Sequence, residues 1–96
     1  MDIFGSKWEL SPFPEERILI SGYIYVKPGT SAELISEGQR KAAGFPEVLR
    51  LAAEPAPGLD AQLMQTPLSI AINKRPSGTP IEIYHDGEVL TTLVVN

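Results

Sequence analysis

The apolar positions of this chain fall into runs of two periods, and the last run is the clearest. From residue 80 onward it reads Pro-Ile-Glu-Ile-Tyr-His-Asp-Gly-Glu-Val-Leu-Thr-Thr-Leu-Val-Val-Asn. Two stretches rich in β-branched and aromatic residues flank Asp86-Gly87, the strongest short-range signal for a β-hairpin. With those two residues at the turn, His85 faces Glu88, Tyr84 faces Val89, Ile83 faces Leu90 and Ile81 faces Thr92. Side chains alternate along a strand. One face then carries Ile81, Ile83, His85, Leu90 and Val94, and the other carries Glu82, Tyr84, Val89, Leu93 and Val95. The second face is not polar, so the strand at 88–95 reads as apolar on both sides. An antiparallel strand with one wet face should alternate cleanly. The second face therefore needs a cover: a helix, the N-terminal segment or another subunit.

Residues 17–27, Arg-Ile-Leu-Ile-Ser-Gly-Tyr-Ile-Tyr-Val-Lys, form a second strand by their β-branched and aromatic content, with a bulge or bend expected at Ser21-Gly22. Residues 68–75 alternate Leu68, Ile70 and Ile72 with small or polar residues and read as a third strand. Between these runs the spacing changes to a helical period. Thr30-Ser31-Ala32-Glu33 fits a capping box. Behind it Leu34, Ile35, Gly38, Ala42 and Ala43 share one side of a helix expected over 31–43, with Gly44 as its C′ residue. Pro46 suits the first turn of a second helix that runs to about Glu54 and stops at Pro55. Residues 54–67 read as a long loop, with Asp60 capping one helical turn around Leu63 and Met64. Residues 1–16 interleave Phe4, Trp8, Leu10 and Phe13 with Gly5, Pro12 and Pro14, and read as an irregular arm.

The expected order is β–α–α–β–β–β. Helices in one block and strands in another give an α+β domain over 1–96, with a mainly antiparallel sheet of about four strands and two helices on one face. The chain's 96 residues suffice for one core. It has no cysteine, which removes disulfides and thiolate metal sites. Residues 1–9 lack the basic patch and apolar run of a signal peptide. No stretch has the roughly 20 apolar residues of a spanning helix. A soluble, cytoplasmic protein follows by elimination.

Charge narrows the partners. The formal net charge is −4, and basic residues cluster only at Arg40-Lys41 and Lys74-Arg75. That is a poor footprint for phosphate neutralisation, so nucleic acid is an unexpected partner. Two weak anion sites remain. Lys27, Thr30 and Ser31 sit at an expected helix N-terminus, and Lys74 and Arg75 sit in an expected loop. The only histidine, His85, lies beside Glu88 at the hairpin tip, with no nucleophile to serve. No catalytic constellation, metal spacing or cofactor motif emerges. The profile is that of a small binding or accessory protein acting through protein–protein contacts, with itself as a homodimer or with a partner. Trp8 and Phe13 of the arm and Val89, Leu93 and Val95 of the last strand would form the contact. The alternative is a small-molecule-binding domain or minor enzyme with a pocket between helices and sheet, and with Tyr23, Tyr25 or Tyr84, His85 and Glu88 near its rim.

Overall fold

A computed structural model of the chain describes residues 4–41, 45–54 and 62–96. Among them seven strands form two sheets, and no helix occurs: β1 (Phe4–Phe13), β2 (Arg17–Val26), β3 (Ser31–Gln39), β4 (Glu47–Glu54), β5 (Met64–Asn73), β6 (Pro80–His85) and β7 (Glu88–Val94). One sheet has the order β1-β2-β5 and the other β3-β4-β6-β7. The α+β expectation is overturned. Where the residues are described, both expected helices are strands, and the described residues form an all-β sandwich of three strands on four.

The same residues satisfy both periods, which is how the helical reading arose. In β3, Leu34 is buried and Ala32 packs against the core, while Glu33 is exposed. That is a strand's alternation. Gly38 adopts φ +82° where the β3–β4 register slips past Glu37, so it marks a bulge rather than a close helix contact. In β4, Glu47, Leu49 and Leu51 are buried and the intervening Arg50 is exposed. A helix confined between Pro46 and Pro55 would be shorter than the roughly 12–15 residues at which isolated helices become even marginal. The supposed capping box is a turn. Thr30 N–H donates to Lys27 O at 3.1 Å across Pro28-Gly29, and Gly29 has φ +84°, as a type II turn requires. The proposed helix end at 42–44 and the Asp60 cap lie outside the described residues.

The N-terminal stretch is the sheet-edge strand β1, where Pro12 withholds no ladder bond that a central strand would need. Its register slips between Ser6 and Glu9, so Lys7 and Trp8 together oppose Gly22. Lys7 carries φ 51° in this bulge. The interruption expected in β2 therefore sits in β1, and β2 itself pairs with β5 without a slip from Arg17–Asn73 to Val26–Met64. Gly22 is required for a different reason. The Trp8 ring lies on its backbone, and a Cβ there would fall 2.7 Å from Trp8 Cδ2.

The two sheets share one core. Ile18, Ile20, Ile24 and Val26 of β2 meet Leu49 and Leu51 of β4 and Ile81 and Ile83 of β6. β4 and β6 are neighbours and parallel. Parallel neighbours need a crossover, and here the crossover passes through β5 in the opposite sheet.

The hairpin at 86–87 forms as its sequence demands, with Asp86 at φ 50° and Gly87 at φ 81°. Its register changes after two pairs. His85 faces Glu88 and Tyr84 faces Val89, but Ile83 then faces Thr91 and Ile81 faces Leu93. Leu90 is the extra residue. One bulge thus turns Thr91, Leu93 and Val95 to the face of Ile81 and Ile83, and turns Thr92 and Val94 outward. Val95 is buried and Leu93 packs on the core. The second apolar face inferred by simple counting does not exist beyond Leu90.

Replacing Gly22 with alanine should force the Trp8 ring from its seat. The expected cost is about 1–3 kcal/mol, typical of overpacking, measured by urea unfolding, with a red shift in Trp8 emission. Wild-type stability and emission would contradict the packing described.

Candidate functional site

Three places gather polar chemistry. The first is the tip of the β6–β7 hairpin. β4 and β6 pair only as far as Arg50 and Tyr84, and β4 then continues past the turn paired with β3 alone. The His85 imidazole takes up the ladder there. Its Nδ1 lies 3.1 Å from Leu51 O, and a carbonyl partner requires that nitrogen to carry the proton. Nε2 lies 3.3 Å from Asp86 Oδ2, but the pair is not aligned for a hydrogen bond, and Nε2 has no other partner. Beside it lies a half-open cavity of about 440 Å³ lined by Arg50, Ala52, Glu54, Tyr84 and His85 among others. No side chain there is an activated nucleophile, and the Glu37 carboxylate is held by Arg50. Among the described residues no group of three or more His, Asp or Glu side chains could hold a metal ion. His85 closes a sheet end.

The second place is the outward face of the four-stranded sheet. Arg40 Nη2 lies 3.1 Å from Glu82 Oε1, and Arg40 Nη1 donates to Tyr84 Oη at 3.0 Å. Tyr84 Oη donates in turn to Glu82 at 3.2 Å. The third is internal. Glu47 is 1% exposed, and its carboxylate accepts from Arg75 Nε at 2.8 Å and from Ser36 Oγ at 3.3 Å. A charge that deep is tolerable only with such partners.

These contacts rearrange the expected sites. Arg75 belongs to Glu47, and so is no free anion ligand. Lys27, Thr30 and Ser31 lose the helix N-terminus on which their anion role depended, and Thr30 Oγ1 is buried without a hydrogen bond. The tyrosines expected around one pocket are split between sheets. Tyr84 and His85 line the hairpin-tip cavity, whereas Tyr23 and Tyr25 form an edge-to-face pair, 5.6 Å between centroids, on β2. Desolvation, reinforced by the Tyr23 phenol beside it, holds the Tyr25 phenol above its ordinary range.

The expected partner-contact residues are dispersed too. Trp8 is packed on Gly22, and Phe13 carries the Arg17 guanidinium 4.8 Å from its ring centroid. Leu93 and Val95 belong to the core, while Val89 is 47% exposed. Counting the strand without its bulge placed Val94 inside; it is 55% exposed. The pairing of Glu47 with Arg75 had no sequence signal, because the partners lie on segments joined only by the fold.

No family model matches this chain, and no curated protein or solved structure matches it. Among the described residues no helix is long and apolar enough to cross a membrane.

Removing one member of the buried pair should cost more than removing both. Arg75→Ala strands the Glu47 charge, and about 3–5 kcal/mol should be lost. The double variant Glu47→Met with Arg75→Met should recover most of that in urea unfolding. Equal losses in both would show that the pair is not what the site depends on.

Proposed function

We propose that the protein is a binding module that recruits an extended segment of another chain along the free edge of β7. The observation that carries this reading is the contrast among the four edge strands. An open edge is a template for pairing, and natural sheets guard it with charge, proline or a bulge. β1 has Lys7, Glu9, Pro12 and a bulge. β3 has Glu33, Glu37 and a bulge, and β5 has Pro67. β7 has Glu88 and the Leu90 bulge at its start, but from Thr91 to Val94 it has none of these.

The edge groups can be assigned. Val95 N–H donates to Thr79 O at 3.0 Å, and Val95 O accepts from Gly78 N–H at 2.7 Å. Val95 thus faces β6, and Leu93 and Thr91 follow it in the same ladder. The amides and carbonyls of Thr92 and Val94 point the other way, where no ladder forms. Both side chains are exposed beside them. Backbone pairing would supply affinity and pockets for alternate side chains would supply selectivity. Charge favours an unlike chain over a second copy, because each copy carries −4 and Asp86 and Glu88 stand at the start of this edge.

The test uses a synthetic peptide of alternating valine and threonine with lysines at both ends. In amide-exchange NMR, Thr92 and Val94 should exchange fast in the free protein and become protected on addition of peptide. Thr92→Pro removes an outward N–H and no internal ladder bond, and should weaken binding at least about tenfold, the value of one to two backbone hydrogen bonds. Slow exchange of both amides in the free protein, or binding untouched by Thr92→Pro, would refute the reading.

A further inference from the structure

We propose a small-molecule site, separate from strand pairing, at the seam where β1 and β7 meet, and assign to it an amphiphilic anion: a carboxylate carrying an apolar body. β1 lies beside β7 there without hydrogen-bonding to it, so the sandwich does not close. The gap is a half-open inlet of about 350 Å³, at the small end of the range for ligand pockets, about 300–1,000 Å³. Its walls are Leu10, Pro12, Ile18 and Val95. Ile18 and Val95 belong to the core, so the inlet reaches the apolar interior rather than a polar surface.

The rim is cationic. Arg17 opens β2, Lys74 follows the end of the neighbouring β5, and both line the inlet. A hydrogen bond of 2.9 Å from Lys74 N–H to Glu16 O ties their two segments together. Arg17 is oriented before any ligand arrives. Its Nε donates to Pro14 O at 3.1 Å, and its guanidinium lies on the Phe13 ring. Its terminal nitrogen Nη2 has only Glu15, at 3.9 Å and largely in water, a pair worth little. The Lys74 ammonium makes no ion pair among the described residues. Among the side chains lining the inlet Glu16 is the one carboxylate, against the two cations Arg17 and Lys74. An apolar floor under these two cationic side chains selects an acid head over an amine or an alcohol. The body fills the gap between the sheets, and the head stays at the mouth with Arg17 and Lys74.

Decanoate, decanol and decylamine, each below its aggregation threshold, test this by calorimetry on the full chain. Decanoate should bind saturably at one site. Decanol and decylamine should bind at least about tenfold more weakly, the loss of one charge-assisted contact. Trp8 shares β1's inward face with Leu10, so a brominated decanoate should quench its emission. Amide shifts should centre on Leu10, Ile18 and Val95. Lys74→Glu alters an exposed side chain outside the core and should reduce decanoate affinity about tenfold or more with unchanged melting. Thr92→Pro should leave decanoate binding intact. Equal affinity for acid and amine, unsaturable binding, or a Lys74→Glu variant that binds decanoate like wild type would each overturn the assignment.

Discussion

Two small sheets, each with one apolar face, cannot stay in water separately, and that mutual need governs the molecule. Three strands or four give a sheet independent stability only when the apolar face is covered. Here each sheet covers the other with branched aliphatic side chains, and Ile20, Ile24, Leu49, Ile81 and Ile83 are fully buried between them. The chain makes the dependence topological as well. It passes from the three-stranded sheet to the four-stranded one after β2, returns for β5, and goes back for β6. No contiguous half of the chain builds either sheet. Pairings such as Arg17 with Asn73 must wait for distant segments to meet, which is the slow, nonlocal route to a β fold.

The same dependence explains what could be read from the residues in advance. The turn at Asp86-Gly87 was legible because its chemistry is local: two residues must accept positive φ. The strand at 17–26 and the later half of β5 were legible because β-branched residues dominate them. β3 and β4 were not, since Leu34-Ile35 and Leu49, Leu51, Ala52 fit a helical stripe as well as a strand's alternation. What settles their form is the partner across the ladder, such as Leu34 facing Leu51. Lys-Pro-Gly-Thr at 27–30 did carry a turn signature, but a capping box explained the same four positions. The bulge at Leu90 had no local sign at all. It follows from Leu93 and Val95 needing the face that Ile81 and Ile83 already occupy.

Charges were legible as composition and not as sites. Glu47 looked like one acid at the start of an expected helix. It is instead the one buried carboxylate among the described residues, matched to a cation in a segment that reads as an open basic loop. Arg40 and Arg50 are likewise held by Glu82 and Glu37 on the outward face of their sheet. Each pairing removes a basic residue from the surface available to anions. The remaining basic groups near a cavity are Arg17 and Lys74, and they fall together only because β2 and β5 are neighbours.

A sandwich has two seams, and this one treats them differently. Along one, β3 lies beside β5; along the other, β1 lies beside β7. The β3–β5 seam is flanked by strands that carry glutamates on one side and Pro67 on the other, and neither of those edges invites pairing. The β1–β7 seam has guards along β1 but only at the start of β7, where Glu88 and the Leu90 bulge lie. Its other margin is a run of threonine, leucine and valine with two outward amides, above an inlet floored by Val95 and rimmed by Arg17 and Lys74. A stretch of edge without guards carries an aggregation risk, and a gap into the core forgoes packing. The other edges carry charge, proline or bulges along their length, whereas β7 carries them only up to Leu90. Both costs fall on one seam, the seam to which the proposed strand pairing and the proposed acid site are assigned.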